Sequence, residues 1–356
     1  MFYQCPKCKR IWQYPIEKCP ECFLGLERMR VEKIKVAGIS KVNIPTIFHS
    51  KVPYFVLLLE DEQGNKWVQK SGKEYKIGEE FKTEKSDSKD AVAVWRVKYD
   101  ILEGIEKLVE LIGGLKVGPE TKILILPTLV SPKHSYFAEN TSPEFLGTTI
   151  DYLIKRGAKV GNIKVTGQIL DEIPIESCAK KSGLLDVCLK NKVQVLDLAK
   201  SNFAKKDNFE ISEEIFSSDL VINLPILKVG KASASENLFK LLKKENYLGL
   251  KYLSSEKEII ENLLKFLLAR QSESEGGPPI LTLAEAQNVQ KRDKFVAYLG
   301  LVFGSFNSLN LDRVFAEITM ADPARLPEGL KNVKIENIPI VGRKVEEAQF
   351  SLEKHG

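Results

Sequence analysis

The pattern of apolar and polar positions changes twice along the chain of 356 residues. From residue 92 onward, helical and extended periods alternate. "YDILEGIEKLVELIGG" sets Ile101, Leu102, Ile105, Leu108, Val109 and Ile112 at helical spacing, which predicts an amphipathic helix. "KILILPTLV" opens with an all-apolar run, a buried strand from Lys122 to Leu126. "SPEFLGTTIDYLIKRGAKV" predicts a helix with Pro143 in its first turn and Gly157 at its end. "KVQVLDL", "DLVINLP", "PPILTLAEA" and "KFVAYLGLVFGS" read as further strands, and "SENLFKLLKK", "EKEIIENLLKFLLAR" and "SLNLDRVFAEIT" as helices. "QSESEGG", residues 271–277, reads as a mobile loop. This alternation predicts an α/β fold over residues 92–350, a mainly parallel sheet with helices on both faces.

Ahead of that body the pattern is extended only. Val31, Ile34, Val36 and Ile39 recur in "RVEKIKVAGISKVNI". A β-rich run from Tyr54 to Leu59 is followed by a Gly64-Asn65 turn, a return through Lys66–Gln69, and "YKIGEEF". Short strands with turn signals between them predict a small OB-like β-barrel over residues 31–86. "KTEKSDSKD", residues 82–90, is polar and without period, and the boundary between barrel and body is expected there.

Residues 1–30 hold four of the six cysteines, as Cys5-x-x-Cys8 and Cys19-x-x-Cys22. Each pair forms a knuckle that presents two sulfurs to one tetrahedral ion, and the ten residues between let the second fold onto the first. So short a segment has no core of its own, and metal binding supplies its folding energy. The expected cofactor is structural Zn2+ in a closed ribbon; iron also suits four thiolates, and reduced unliganded thiols are the third alternative. Cys178 and Cys188 lack this spacing and read as reduced core residues.

Charge adds one asymmetry. Residues 1–86 carry 16 Lys/Arg against 11 Asp/Glu, and the rest of the chain carries 37 of each, so the net +5 lies in the N-terminal part. That leaves nucleic-acid binding through residues 1–86 open, with Trp12, Tyr14, Phe48, His49, Tyr54 and Trp67 as stacking candidates or as filling for a small core. No apolar run reaches about 18 residues, so no membrane span is expected. The start has no basic segment followed by an apolar one, so no secretory signal is expected, and the cytoplasm is the expected location. Oligomeric state is not legible.

Two stretches carry resemblances. The order of the cysteine pairs, the Pro53–Glu60 strand and "YKIGEEF" resembles the ribbon-plus-OB-fold proteins of the "domain of unknown function thirty-five" type, over residues 1–82. In that family the module often partners acyl-CoA enzymes. "NTSPEFLGTTIDYLIKRGAKV", "SSDLVINLPILKVGKASASENLFKLL", "GSFNSLNLDRVFAEI" and "IENIPIVGR" follow one another as in the family called "domain of unknown function three-six-two", over residues 120–345. Its most specific parts here are Asp219–Lys228, "ENLFK" at Glu236–Lys240, and Asp312 at the family's recurrent aspartate. Glu236-Asn237 stands where members have Lys-Asn, and Glu285 where they have Asp.

In an open parallel sheet, ligands bind beyond the carboxyl ends of the strands. The loop after Leu224 carries Lys228, Lys231, Ser233 and Ser235, with Ser235 placed to cap a helix starting near Glu236 and Asn237 following. Two ammonium groups at a helix N-terminus form a cradle for phosphate or carboxylate, or else solvated lysines beside a capped helix. The loop after Leu126 carries Lys133, His134 and Asn140; His134 is a candidate proton carrier. The loop after Leu283 carries Glu285, Gln287, Asn288, Lys291 and Arg292, substrate-binding candidates or a polar surface turn. Asp312 opens the last helix, either held by its dipole or turned into the cleft as a second catalytic candidate. No Gly-x-Gly-x-x-Gly or Gly-Lys-Ser/Thr motif is present. Two functions remain: a zinc-binding enzyme acting on a small anionic substrate at the strand-end cleft, or a nucleic-acid- or protein-binding protein using ribbon and barrel.

Overall fold

The computed structural model describes residues 2–350 and 352, apart from 15, 30, 32, 47–51, 83, 207–208 and 254–277. The helix expected over 256–270, the loop at 271–277, and Phe48 and His49 lie outside the described residues.

Strands β1 (Tyr3–Gln4), β2 (Ile11–Trp12) and β3 (Glu27–Arg28) form a small antiparallel sheet in the order β2-β1-β3. Strands β4 (Ile34–Val42), β5 (Tyr54–Asp61) and β6 (Lys66–Ser71) form a second antiparallel sheet, β4-β5-β6. Alternation on β5 puts Phe55, Leu57 and Leu59 inward against Val36, Trp67, Tyr75 and Phe81. The β5–β6 turn is the one expected at Gly64 (φ +83°), and Asp61 ties it by accepting from the N–H groups of Gln63 and Asn65. "YKIGEEF" returns beside β4, where Phe81 N donates to Ile34 O at 2.8 Å and Val36 N to Glu79 O at 2.9 Å.

The body is one large, mostly parallel sheet. Its elements are β7 (Val92–Arg96), α1 (Ile101–Leu111), β8 (Ile123–Pro127), α2 (Pro143–Lys155), β9 (Ile163–Gly167), α3 (Ile175–Ser182), α4 (Leu184–Lys190) and β10 (Gln194–Asp197). A hairpin of β11 (Phe203–Lys206) and β12 (Phe209–Ser212) leads through α5 (Glu213–Phe216) to β13 (Leu220–Leu224), β14 (Ile226–Lys228), α6 (Ser233–Asn237) and α7 (Lys244–Leu253). Then come β15 (Ile280–Gln290), β16 (Val296–Ser305), α8 (Ser308–Ile318), α9 (Glu328–Lys331), β17 (Ile340–Gly342) and α10 (Val345–Ala348). The order is β10-β9-β8-β13-β15-β16-β7-β17, with β14 beside the second half of β15. Strands β8, β9, β10, β13 and β15 are mutually parallel; β16 is antiparallel to both β15 and β7.

Both faces are covered, and one strand shows why the run reads as wholly apolar. Ile123 and Ile125 of β8 pack with Ile105, Phe145, Ile150 and Cys178 on one side. Leu124 and Leu126 pack with Leu238, Phe239 and Ala316 on the other. The helices end as their sequences direct. Asp100 caps α1, Ser142 caps α2 ahead of Pro143, and Gly157 (φ +106°) follows the end of α2.

Two expectations change. "SENLFKLLKK" is not one helix: α6 gives way to a 3-10 turn at Leu238–Leu241 before α7. All four residues of that turn are buried, a pattern an amphipathic surface helix does not allow. Strand β15 also runs on to Gln290, because its pairing with β16 continues through Asn288↔Tyr298 and Gln290↔Val296. "EAQNVQKRDK" is therefore mostly strand, and only residues 291–295 turn.

Candidate functional site

The ribbon is built twice over the same local plan. Cys5 O accepts from Lys9 N at 3.0 Å, and Cys19 O from Phe23 N at 2.8 Å. Cys5 N donates to Arg10 O and Cys19 N to Leu24 O. The residue after each second cysteine is left-handed, Lys9 at φ 59° and Phe23 at φ 56°. Two such knuckles bring Cys5, Cys8, Cys19 and Cys22 together, with all four sulfurs within 4.8 Å of one another. Cys8 Sγ and Cys19 Sγ are 3.6 Å apart, close to the roughly 3.8 Å that a tetrahedron with ~2.3 Å metal–sulfur bonds requires. Backbone N–H groups of Cys8, and then of Lys7, hold the Cys5 thiol below its usual range against the opposing effect of burial. The donor set and spacing fit a four-thiolate metal ion.

In the body, the chain leaves β8 toward β9 and β10 and returns to β13 on the other side. The switch point is thus at the carboxyl ends of β8 and β13. Side chains close it. Thr141 Oγ1 donates to Leu224 O at 2.6 Å and accepts from Thr128 N at 2.8 Å. Asn237 Nδ2 donates to Leu126 O and to Asn223 Oδ1, both at 2.9 Å, while its Oδ1 accepts from Thr128 Oγ1. Asn237 therefore spends its amide on joining the two strands.

Next to this seal lies the segment from Lys228 to Lys240. Lys228 N donates to Ser233 Oγ at 3.1 Å, which folds the turn. The expected cap by Ser235 is corrected: α6 begins at Ser233, and Asp312 from α8 accepts from Ala234 N (2.9 Å) and Ser235 N (2.8 Å). Asp312 does not open its own helix either; Asn307 caps α8. Asp312 is fully buried, and burial raises it to about 7 against those two N–H groups. Ser235 Oγ is buried without a hydrogen-bond partner among the described residues.

The residue that sequence reasoning passed over is Lys240. It is 5% exposed, and among the described residues its Nζ has no hydrogen-bond partner. Burial, and secondarily the charge of Lys228, lowers it to about 7. Lys228 is itself lowered by burial, opposed by Glu139 and then Glu236. A signal was available: "LFKLL" sets one lysine inside an apolar run.

The surrounding loops place the other candidates. Lys133 pairs with Glu139 at 2.8 Å, and Asn140 holds the loop through Val130 N, Ser131 O and Lys133 O. His134 is exposed, with Nδ1 accepting from Tyr136 N at 3.1 Å. Arg292 donates to Arg325 O and lies over Gly230, where a Cβ would come within 2.4 Å of its guanidinium. Lys231 is exposed beside that glycine. Lys291 pairs with Asp293, and half-buried Gln287 and exposed Asn288 lie along β15. Glu285 is 3% exposed, raised to about 7 by burial, and accepts from Ser142 N at the start of α2. Lys228, Lys231, Lys240, Ser233, Ser235 and Arg292 thus share one region, with the Lys133–Glu139 loop against Lys228. Asp312 lies beneath them, and exposed His134 stands in the adjacent loop.

Among the described residues, no helix is long and apolar enough to cross a membrane. No curated protein matches the chain. A solved structure, the Ltp2-ChsH2(DUF35) aldolase, aligns with 28% of this chain and 74% of its own at 19% identity and a TM-score of 0.20. Within the α/β body, residues 123–234, from β8 into α6, match the model of the family described as Domain of unknown function (DUF362), and the body resembles that family there.

Proposed function

We propose that the protein is a zinc-stapled enzyme acting on a small anionic substrate, phosphate- or carboxylate-bearing, at the strand-end edge of its α/β body. The carrying observation is Lys240, a buried amine beside Lys228 whose Nζ has no hydrogen-bond partner among the described residues. A buried cation is retained when an anion or a dense set of acceptors compensates it. An anion between Lys228 and Lys240, reached by the free hydroxyl of Ser235, would restore that balance. Lys231 and Arg292 would add attraction at the rim, and His134 would carry a proton from the loop above. Asp312 would act through position, fixing the backbone of Ala234 and Ser235. Zn2+ is the proposed occupant of the four cysteines, as a closed structural ion with no coordination position left for water.

Calorimetry with inorganic phosphate and with small carboxylates tests this reading. Lys240→Met and Lys228→Ala should each weaken binding at least tenfold. His134→Gln should leave binding intact. Binding that ignores both lysine substitutions would overturn it.

A second reading has its own observation. Phe23 and Leu24 of the second knuckle and Val68 of β6 are exposed, at 74%, 44% and 57%. The sheet β4-β5-β6, with residues 79–81 returning beside β4, would then be an OB-like module that offers these groups to a protein or nucleic acid. A steep loss of binding with rising salt would mark nucleic acid.

A further inference from the structure

The second sheet meets the body at a junction where cations collect. A cavity of about 130 Å³, with room for several waters, is lined by Lys70 of β6, Arg96 at the end of β7, Lys98, Arg343 and Glu347. Four positive groups therefore face one carboxylate, and even that carboxylate is partly used. Glu347 Oε1 accepts from Gly72 N at 3.2 Å, and its Oε2 is 3.8 Å from Arg343 Nη1. Arg343 is only 14% exposed at its side chain, and its Nη1 donates to Lys70 O at 3.3 Å.

Arg96 and Lys98 stand out within this group. Neither side chain makes a hydrogen bond or an ion pair among the described residues. Arg96 lies 5.6 Å from the centre of the Phe350 ring. Burial lowers Lys70, Arg96, Lys98 and Arg343 alike, and neighbouring cations add to the lowering: Arg343 at Lys98, and Arg96 at both Lys70 and Arg343. Like charges gathered in a partly desolvated hollow repel one another and forfeit hydration. The fold does not need Arg96 and Lys98 for any bond of its own. An anion in the hollow would turn the repulsion into attraction, and guanidinium groups donate two parallel hydrogen bonds to a pair of phosphate oxygens.

We propose that this junction cavity binds a phosphoryl anion, a phosphate or diphosphate group free or on a small molecule, through Arg96, Lys98, Arg343 and Lys70. A single carboxylate would leave most of the surplus charge uncompensated, whereas a diphosphate would match it. The site takes Lys70 from the N-terminal sheet and the other three cations from the body, so its ligand fastens one to the other. It is separate from the Lys228–Lys240 region and does not rest on that reading.

The test is titration of the full metal-loaded chain with pyrophosphate at low ionic strength, followed by calorimetry. Arg96→Gln combined with Lys98→Gln should weaken binding at the junction at least tenfold and leave the ligand-free melting temperature unchanged or higher. Glu347→Gln should tighten binding. Lys228→Ala combined with Lys240→Met should leave this binding in place, which separates it from the strand-end site. The proposal is overturned by a wild-type chain that does not bind pyrophosphate, or by an Arg96/Lys98 double variant that binds it as the wild type does. It is overturned equally if a single-stranded oligonucleotide, and not pyrophosphate, loses affinity in that variant, which would assign the surface to nucleic acid.

Discussion

Arg28 of the ribbon pairs with Asp100, the residue that caps α1, at 3.5 Å. The same carboxylate accepts from Tyr3 Oη at 3.2 Å through Oδ2 and from Leu102 N at 2.8 Å through Oδ1. Arg28 also pairs with Glu106, six residues further along α1. One acidic side chain thus starts a body helix and holds the ribbon against it. Asp100→Ala removes both roles and should cost about 1–3 kcal/mol, a lost cap plus partly exposed charge contacts. Asp100→Asn keeps an acceptor for Leu102 and should cost less than half as much. Urea unfolding ranks the two, and equal losses would mean that the charge contacts with Arg28, and not the cap, carry the effect.

Metal removal should act locally. The ribbon strands are two residues long, and the buried groups beside them are Phe2, Tyr3, Cys5 and Cys19. Without a central ion only the docking contacts of Tyr3 and Arg28 and the packing of Phe2 on Trp67 oppose the chain entropy of the ribbon, too little to fold it. A chelator, or Cys8→Ser, should abolish amide protection in this segment while the body's unfolding midpoint shifts little. Hydrogen exchange resolved by segment reads both at once. A body that melts together with the ribbon would show that docking through Arg28 is worth far more than its exposure suggests.

The ribbon and the layered body were legible in the sequence because each follows from local chemistry. Cysteine spacing fixes a knuckle, and an all-apolar strand such as Ile123–Pro127 announces a sheet buried on both faces. The site was legible only in part. Lys228 closes β14 where a loop was expected, Ser233 and Ser235 lie inside α6, and the surroundings of each depend on groups distant in sequence. Asp312, 77 residues from Ser235, takes the N–H groups at the start of α6 in place of the expected cap by Ser235. Asn237 looked like a ligand contact and is a strut, because its partners Leu126 and Thr128 arrive from another strand. Arg96 and Lys98 carry no local motif, Lys240 shows only as a lysine inside an apolar run, and the desolvation of all three exists only once the layers have packed.

Stability against pH should show these buried groups with opposite signs. Glu285 and Asp312 sit near 7 in the fold, against ordinary values of 4.5 and 3.8. Between those limits the folded chain holds more protons than the unfolded one, so stability falls as pH rises from about 4 to 7. Lys240 sits near 7 against 10.5, so the folded chain holds fewer protons between those values and stability rises with pH across them. These groups together predict a shallow minimum near pH 7 in the absence of ligand. Lys240→Met should flatten the alkaline limb, and Glu285→Gln part of the acid limb, in guanidinium unfolding followed across pH 4–10. A wild-type alkaline limb that is already flat would mean Lys240 keeps its proton through an anion carried along in purification, which dialysis against high salt should then expose.

Two glycines of similar backbone offer a matched comparison. Gly64 in the β5–β6 turn has φ +83°, and a Cβ there would meet nothing within 4 Å. Gly342 at the end of β17 has φ +79°, but its Cβ would lie 2.4 Å from Val94 O and 2.9 Å from Leu111 Cδ1. Alanine at Gly64 carries only the left-handed conformational penalty, about 1–2 kcal/mol. At Gly342 the same penalty adds to a collision with backbone that a side-chain rotation does not relieve, giving about 3–5 kcal/mol in all. Gly342 also precedes Arg343, whose N–H donates to Val94 O at 2.8 Å, so the displaced strand would carry the guanidinium away from the junction cavity. Gly342→Ala should therefore lower both the unfolding free energy and the affinity for pyrophosphate, while Gly64→Ala lowers the first slightly and the second not at all. Equal destabilisation by the two substitutions would show that β17 shifts freely against β7 and that the junction is not held by this close approach.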